Sequence, residues 1–274
     1  LSNVSAIRLT DRPAQVIGTS TQGRAYAGVR AKQSREVTRN TPMTAPSTTT
    51  PSTEEVQTLY DRLFTAYGPQ RWWPGDGPFD VIVGAILTQN TNWTNVEKAL
   101  ETLRRTGVWS FAAIHGTQRD ELAELIRSSG YFNQKARKLH GFAALLENEF
   151  HGELDQLLGL PMDELRARLL GIWGIGEETA DDIVLYASGK PSFVIDTYTR
   201  RIVDRLGWRV DGDAYGDYQS LFVERLRPDT ALFNEYHALL DHHAAEVCRP
   251  TPKCDGCCLL EICLTGRNTH HESS

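Results

Sequence analysis

Leu170-Gly-Ile-Trp-Gly-Ile-Gly-Glu-Glu-Thr-Ala-Asp-Asp-Ile-Val-Leu-Tyr-Ala187 is the stretch that organises the chain. An apolar helix runs into Gly174-Ile175-Gly176, and a second helix begins behind the glycines. Glycine permits the positive φ and the close backbone approach that such a turn needs. The free amides at the start of the second helix point outward and attract an anion. A DNA phosphate is the natural ligand, and contact with it is independent of base sequence. Taken alone, Gly-x-Gly between helices is better read as a plain turn. The segment after Lys190-Pro191 changes the balance: Phe193-Val-Ile-Asp-Thr-Tyr-Thr-Arg-Arg201 is a short apolar run ending at Asp196, in a helix N-cap position.

Outward from this hairpin the pattern stays helical. Leu59, Leu63 and Tyr67 recur at helical spacing, as do Val96, Ala99, Leu100 and Leu103, then Leu122, Leu125 and Ile126, and Leu165, Leu169 and Leu170. No alternating strand set and no internal repeat is visible. The expected fold is all-α with about ten helices. Residues 1–53 lack lasting apolar periodicity and end in the polar tract Thr41-Pro-Met-Thr-Ala-Pro-Ser-Thr-Thr-Thr-Pro-Ser-Thr53, so they read as a disordered basic tail and linker.

Net charge is −6, with +5 in residues 1–50 and −11 in the remainder. Bulk charge therefore does not argue for nucleic acid, and a DNA reading rests on motifs. No apolar run is long enough to span a membrane and no secretion signal is recognisable, which predicts a cytoplasmic, nucleoid-associated monomer. All five cysteines fall between Cys248 and Cys263. That clustering points to metal rather than disulfides. Cys248-x5-Cys254-x2-Cys257-x5-Cys263 can hold a 4Fe–4S cluster or a tetrahedral zinc, and spacing alone does not separate them. Cys258, adjacent to Cys257, is a spare ligand.

The hairpin followed by Gly/Pro and Asp196 resembles the endonuclease III-type superfamily of helix–hairpin–helix DNA glycosylases. Arg71-Trp-Trp-Pro74, Phe79 through Trp93 and Gly130-Tyr-Phe-Asn-Gln-Lys-Ala136 are similar to its 3-methyladenine glycosylase branch, over roughly residues 54–247. The resemblance implies a two-lobed helical fold with a cleft for damaged double-stranded DNA. One lobe would be a six-helix bundle of residues 80–190. The other would join residues 54–79 to 191–265 and carry the cysteines, with 266–274 a tail. Asp196 would be the catalytic carboxylate, stabilising positive charge on the sugar as the base leaves or helping to activate the nucleophile. Trp72, Trp73 and Trp93 would line the base pocket, where indole faces attract cationic alkylated purines. Gln89, Asn133 and Gln134 would fill the gap left by a flipped base. Gly174, Gly176 and Thr179 would meet the DNA backbone, and Lys135, Arg137 and Lys138 would neutralise phosphates. The position of the cysteine run favours the 4Fe–4S cluster, although the first gap is x5 where relatives have x6.

Two departures matter. Members that cut the strand place a Schiff-base lysine two residues after the second hairpin glycine; here Glu178 stands there, 18 residues before Asp196. A pocket lysine in a His-Gly-Lys run of some members is replaced in His243-Ala244-Ala245. The reading is a monofunctional glycosylase. Its alternatives are a bifunctional glycosylase/lyase acting on oxidised pyrimidines and a degenerate DNA-structure binder, for which the acidic hairpin of Glu177, Glu178, Asp181 and Asp182 leaves room.

Overall fold

Ser52 ends the polar tract by capping a helix: its Oγ accepts from Glu55 N–H, and the Glu55 carboxylate reaches back to the Ser52 amide. In the computed structural model, which describes residues 49–70 and 77–272, this cap starts α1 (Thr53–Tyr67). Residues 1–48, Trp72 and Trp73 lie outside the described residues. Residues 49–53, expected to belong to the tail, are instead held to the body. Thr49 bridges to Trp208, Pro51 is buried, and the Pro51 carbonyl accepts from Arg225 Nε at 2.6 Å.

The described residues form thirteen α-helices and no strand. After α1 come α2 (Pro78–Thr88), α3 (Trp93–Arg105), α4 (Phe111–Gly116), α5 (Arg119–Leu125) and α6 (Phe132–Phe150). The hairpin region holds α7 (Leu154–Gly159), α8 (Met162–Leu170) and α9 (Glu177–Asp182), the last continued by a π-helical turn over Ile183–Ala187. Then follow α10 (Thr197–Leu206), α11 (Tyr215–Val223), α12 (Thr230–Glu246) and α13 (Leu264–Glu272). The expected ten fall short because α4, α7 and α9 span six residues each, too few to repeat an apolar period. For the same reason α2 through α9 make eight helices where six were expected. The supposed tail at 266–274 is largely α13, packed on α10 where Leu264 closes over Gly207.

Two apolar cores form. The first runs from Ile82 to Val184 and is filled by α2 through α9. The second takes Val56, Leu59 and Leu63 of α1, then Leu185 onward through α10, α11 and α12. Phe193 stacks on Phe222 at 4.1 Å and meets Phe233 and Tyr236 edge-on at its centre. The border between cores crosses the π-helical turn, between Val184 and Leu185.

Lys135 is not a phosphate contact. It is 1% exposed, and its Nζ donates to Leu87 O at 2.8 Å and Ser129 O at 2.6 Å. It satisfies carbonyls at the end of α2 and before α6, and burial, with Lys138 adding, holds its pKa down at about 8. Lys135→Ala would leave both carbonyls buried without this donor. The expected outcome is a loss of about 2–4 kcal/mol in urea unfolding, with the salt dependence of DNA binding unchanged.

Candidate active site and cysteine cavity

The hairpin turns at Gly174, whose φ of 79° requires glycine. A Cβ there would also meet Lys138 Cε at 2.7 Å. Gly176 differs: its φ is −94°, and a Cβ would meet nothing within 4 Å. Neither backbone nor packing demands glycine at 176, so only an approaching ligand would use that bare surface. Behind it, Thr179 is buried and accepts from Gln89 Nε2 at its Oγ1. Gln89 caps the end of α2, and its Oε1 accepts from Lys138 Nζ. The α2 terminus, the hairpin and α6 are thus joined through one amide. Asn133 and Gln134 stand exposed in the first turn of α6, behind Tyr131, an exposed residue with a φ of 44°. Trp93 opens α3 and packs half-buried against the first core. Arg137, exposed on α6, lays its guanidinium 3.6 Å from the ring centre of Trp173.

Asp196 ends the buried run Ser192–Ile195 and caps α10, its Oδ1 accepting from Thr199 N–H at 2.7 Å. Other acids surround it. Glu178 is pushed up to about 7 by burial and then by the Asp196 charge, with Arg200 opposing. The residue as a whole is exposed, so solvent screens part of the effect. Asp241 on α12 is likewise pushed up to about 7 by burial and Asp196. Asp182 is held well above the carboxylate range by burial, then by Glu178, Asp196, Asp181 and Asp241. His237 on α12 places Nε2 3.9 Å from Asp196 Oδ2, and its Nδ1 lies 2.6 Å from Tyr186 Oη. Sequence reading missed Asp241 and His237; their i,i+4 spacing on one helix face was the available signal.

The acidic hairpin is less acidic toward solvent than its sequence. Asp181 is fully buried and faces inward, where Arg166 Nε (2.8 Å), Ser192 Oγ (2.7 Å) and Gln219 Nε2 (3.1 Å) donate to it. Arg166 also reaches Glu177 at 3.5 Å.

Cys248, Cys254, Cys257 and Cys263 border one cavity together with Arg205, His243 and Gly266. The sulfurs are supplied with donors: Arg205 Nη1 reaches Cys248 Sγ at 3.2 Å, and Leu259 and Gly266 amides reach Cys257 and Cys263 Sγ at 3.4 Å. Such donors suit thiolate ligands. His243 Nε2 lies 3.8 Å from Cys257 Sγ, and its Nδ1 is 2.7 Å from Tyr67 Oη. Cys258 lines a separate depression with Asp61 and Arg62 of α1, while its thiol stays in hydrogen-bond contact with Cys257. Among the described residues, no group of three or more His, Cys, Asp or Glu side chains is set to hold a single metal ion. No described helix is long and apolar enough to cross a membrane.

The raised carboxyls make stability fall with pH. Glu178 and Asp241 ionise near 4.5 and 3.8 when unfolded and near 7 when folded. Between those values the folded state holds more protons, so stability declines as pH rises and levels off above about 7. Melting temperature should drop from pH 5 to pH 8, and the drop should shrink in Glu178→Gln.

Residues 83–228 match the family model described as "HhH-GPD superfamily base excision DNA repair protein", which is more than half of the chain. A Methanocaldococcus jannaschii protein named as a candidate DNA repair glycosylase is 39% identical over 214 residues, covering 77% of this chain and 97% of that protein. Endonuclease III of Sulfolobus acidocaldarius is 30% identical over 187 residues, covering 68% of this chain and 81% of the relative. Among solved structures, a trapped endonuclease III–DNA covalent intermediate superposes with a TM-score of 0.70 at 22% identity, covering 80% of this chain and 99% of the other. Helicobacter pylori 3-methyladenine DNA glycosylase bound to 1,N6-ethenoadenine gives 0.59 at 26%, covering 71% and 97%. The all-α fold therefore has its counterpart in known repair enzymes, and this chain belongs to the HhH-GPD superfamily of base excision DNA repair glycosylases.

Proposed function

We propose that the protein is a monofunctional DNA glycosylase, which hydrolyses the N-glycosidic bond of a damaged base and leaves the strand intact. The observation that carries this reading is Glu178, whose carboxyl shares the field of Asp196 at the position where a lyase needs an amine. Three lysines of the same lobe are engaged elsewhere. Lys135 is buried on two carbonyls, Lys138 donates to Gln89, and Lys190 donates to Leu158 O.

The double-stranded DNA would lie along the hairpin, where Gly176 leaves room for a phosphate, with the two cores forming lobes on either side of Asp196. Gln89 and the exposed start of α6 would occupy the gap left by the extruded nucleotide, and Thr179 would hold Gln89 in place. As the base departs, positive charge develops on the sugar. The Asp196 carboxylate, oriented by Thr199 N–H, stabilises that charge while water adds to the sugar carbon, and it takes the proton that the water gives up as the cationic base leaves neutral. An alkylated base is already cationic and labile, so no separate acid is needed, and alkylated purines are the favoured substrate class. Trp93 is the pocket aromatic within the described residues.

Cys248, Cys254, Cys257 and Cys263 would hold the 4Fe–4S cluster. Four sulfurs around a cavity suit a multi-iron group better than one zinc ion about 2.3 Å from each sulfur. The cluster would serve as a structural clamp for the loop and take no part in bond cleavage. Purified protein should be brown and contain iron, and Cys258→Ser should keep its iron while Cys257→Ser loses it. Colourless, zinc-loaded protein from anaerobic preparation would overturn this assignment.

Duplexes bearing single lesions separate the reaction classes. Strand cleavage should appear only after alkali, and Asp196→Asn should abolish it. Cleavage before alkali, or a strong borohydride-trapped adduct, would establish a lyase; binding without excision of any lesion would establish a structure binder.

A further inference from the structure

The two oxygens of Asp196 are treated differently. Oδ1 is fixed by its own helix through Thr199 N–H at 2.7 Å. Oδ2 faces His237 Nε2 across 3.9 Å. His237 is buried on α12, 6% exposed, and its Nδ1 sits 2.6 Å from the Tyr186 hydroxyl. Burial holds the His237 pKa below the usual imidazole value, with Asp196 opposing. The ring therefore carries one proton near neutral pH. Tyr186 is held far above the usual phenol range, so its hydroxyl keeps a proton to donate to Nδ1. Oδ2 of a carboxylate only accepts, so the ring proton belongs on Nε2, facing Asp196, and Nδ1 accepts from the Tyr186 hydroxyl.

We propose that His237 is a positioning residue for Asp196: its Nε2–H, locked in place by Tyr186, donates to Oδ2 and tightens to hydrogen-bond distance, directly or through one water, when substrate fills the cleft. Catalytic hydrogen bonds are commonly long before substrate binds. The inference rests on Asp196 being the catalytic carboxylate. The groups that act on this site are Glu178 and Asp182 of α9, Tyr186 of the π-helical turn, Arg200 of α10, and His237 and Asp241 of α12. Glu178, Asp182 and Asp241 are all driven toward protonation. Two N–H groups are aimed at Asp196, one at each carboxylate oxygen.

The test is single-turnover excision across pH on the full chain, paired with binding to the same lesion duplex. His237→Leu should slow excision about 10- to 100-fold, the worth of one hydrogen bond to a charged group, with binding little changed. Its acid limb should move to higher pH, because Asp196 loses a donor that favours ionisation. His237→Gln, whose Nε2 can reach the same oxygen, should restore most of the rate and the limb. Tyr186→Phe, which releases the tautomer, should fall between. Should His237→Leu not fold, the Gln and Phe variants carry the test alone: an acid limb fixed at the wild-type position in Tyr186→Phe, or a His237→Gln limb displaced further than that of Tyr186→Phe, overturns the proposal. A His237→Leu enzyme with wild-type rate and limb does the same. Asp196→Asn separates the layers. If it still excises, the catalytic reading of Asp196 fails; if it is dead while His237→Leu is normal, only the positioning role fails.

Discussion

Asp181 is a carboxylate with no solvent exposure, shared among Arg166 of α8, Ser192 of the segment leading to Asp196, and Gln219 of α11. Gln219 also donates to Phe193 O at 2.7 Å, which pins that segment from the other side. Burying a charge is costly unless it is paired and its remaining lone pairs are filled. Here the pairing spans the hairpin helix, the helix before it, the segment leading to Asp196 and the second core. The hairpin and Asp196 are therefore not two features that happen to be near. They are two ends of one buried network.

This network also bears on the acidity of the protein. A net charge of −6 is awkward for a DNA enzyme, and the hairpin looks as if it repels phosphate. Asp181 is neutralised inside by Arg166, Glu177 shares the same guanidinium, and Asp182 is driven toward its neutral form. Formal charge overstates the negative charge that the hairpin presents beside the glycines. The border between the two cores falls in a π-helical turn, a feature often found at functional sites, and that turn delivers Tyr186 to His237.

The parts legible in sequence were those written in consecutive residues. Asp196 could be read because an apolar run stops at a capping residue, and Gly174 because a turn needs its φ. Lys135 was misread for the opposite reason. Its neighbours Gln134 and Arg137 are exposed, and only the arrival of the α2 terminus and of Ser129 turns that one ammonium inward. Asp181 and Asp182 are adjacent and chemically alike, yet one faces Arg166 and the other the cleft acids. Helical phase separates them by about 100°, but which direction is core depends on α8 and α11. Cys258 likewise sits beside Cys257 in sequence and opens onto α1 in space.

α12 carries the same device twice. His237 and His243 each present Nδ1 to a tyrosine hydroxyl, Tyr186 and Tyr67, and Nε2 to a functional group, Asp196 Oδ2 and Cys257 Sγ. Six residues separate them by roughly 9 Å along the axis and by about two-thirds of a turn, so one looks toward the hairpin and the other toward the cysteines. α10 makes the matching connection. Its N-terminus is capped by Asp196, while Arg201 and Arg205 further along donate to the carbonyls of Cys248, Arg249 and Pro250. Both helices bordering Asp196 are therefore anchored at their far ends in the cysteine loop. A group bound there needs no chemistry of its own to matter for excision, because holding that loop holds the two helices that place the carboxylate and its histidine.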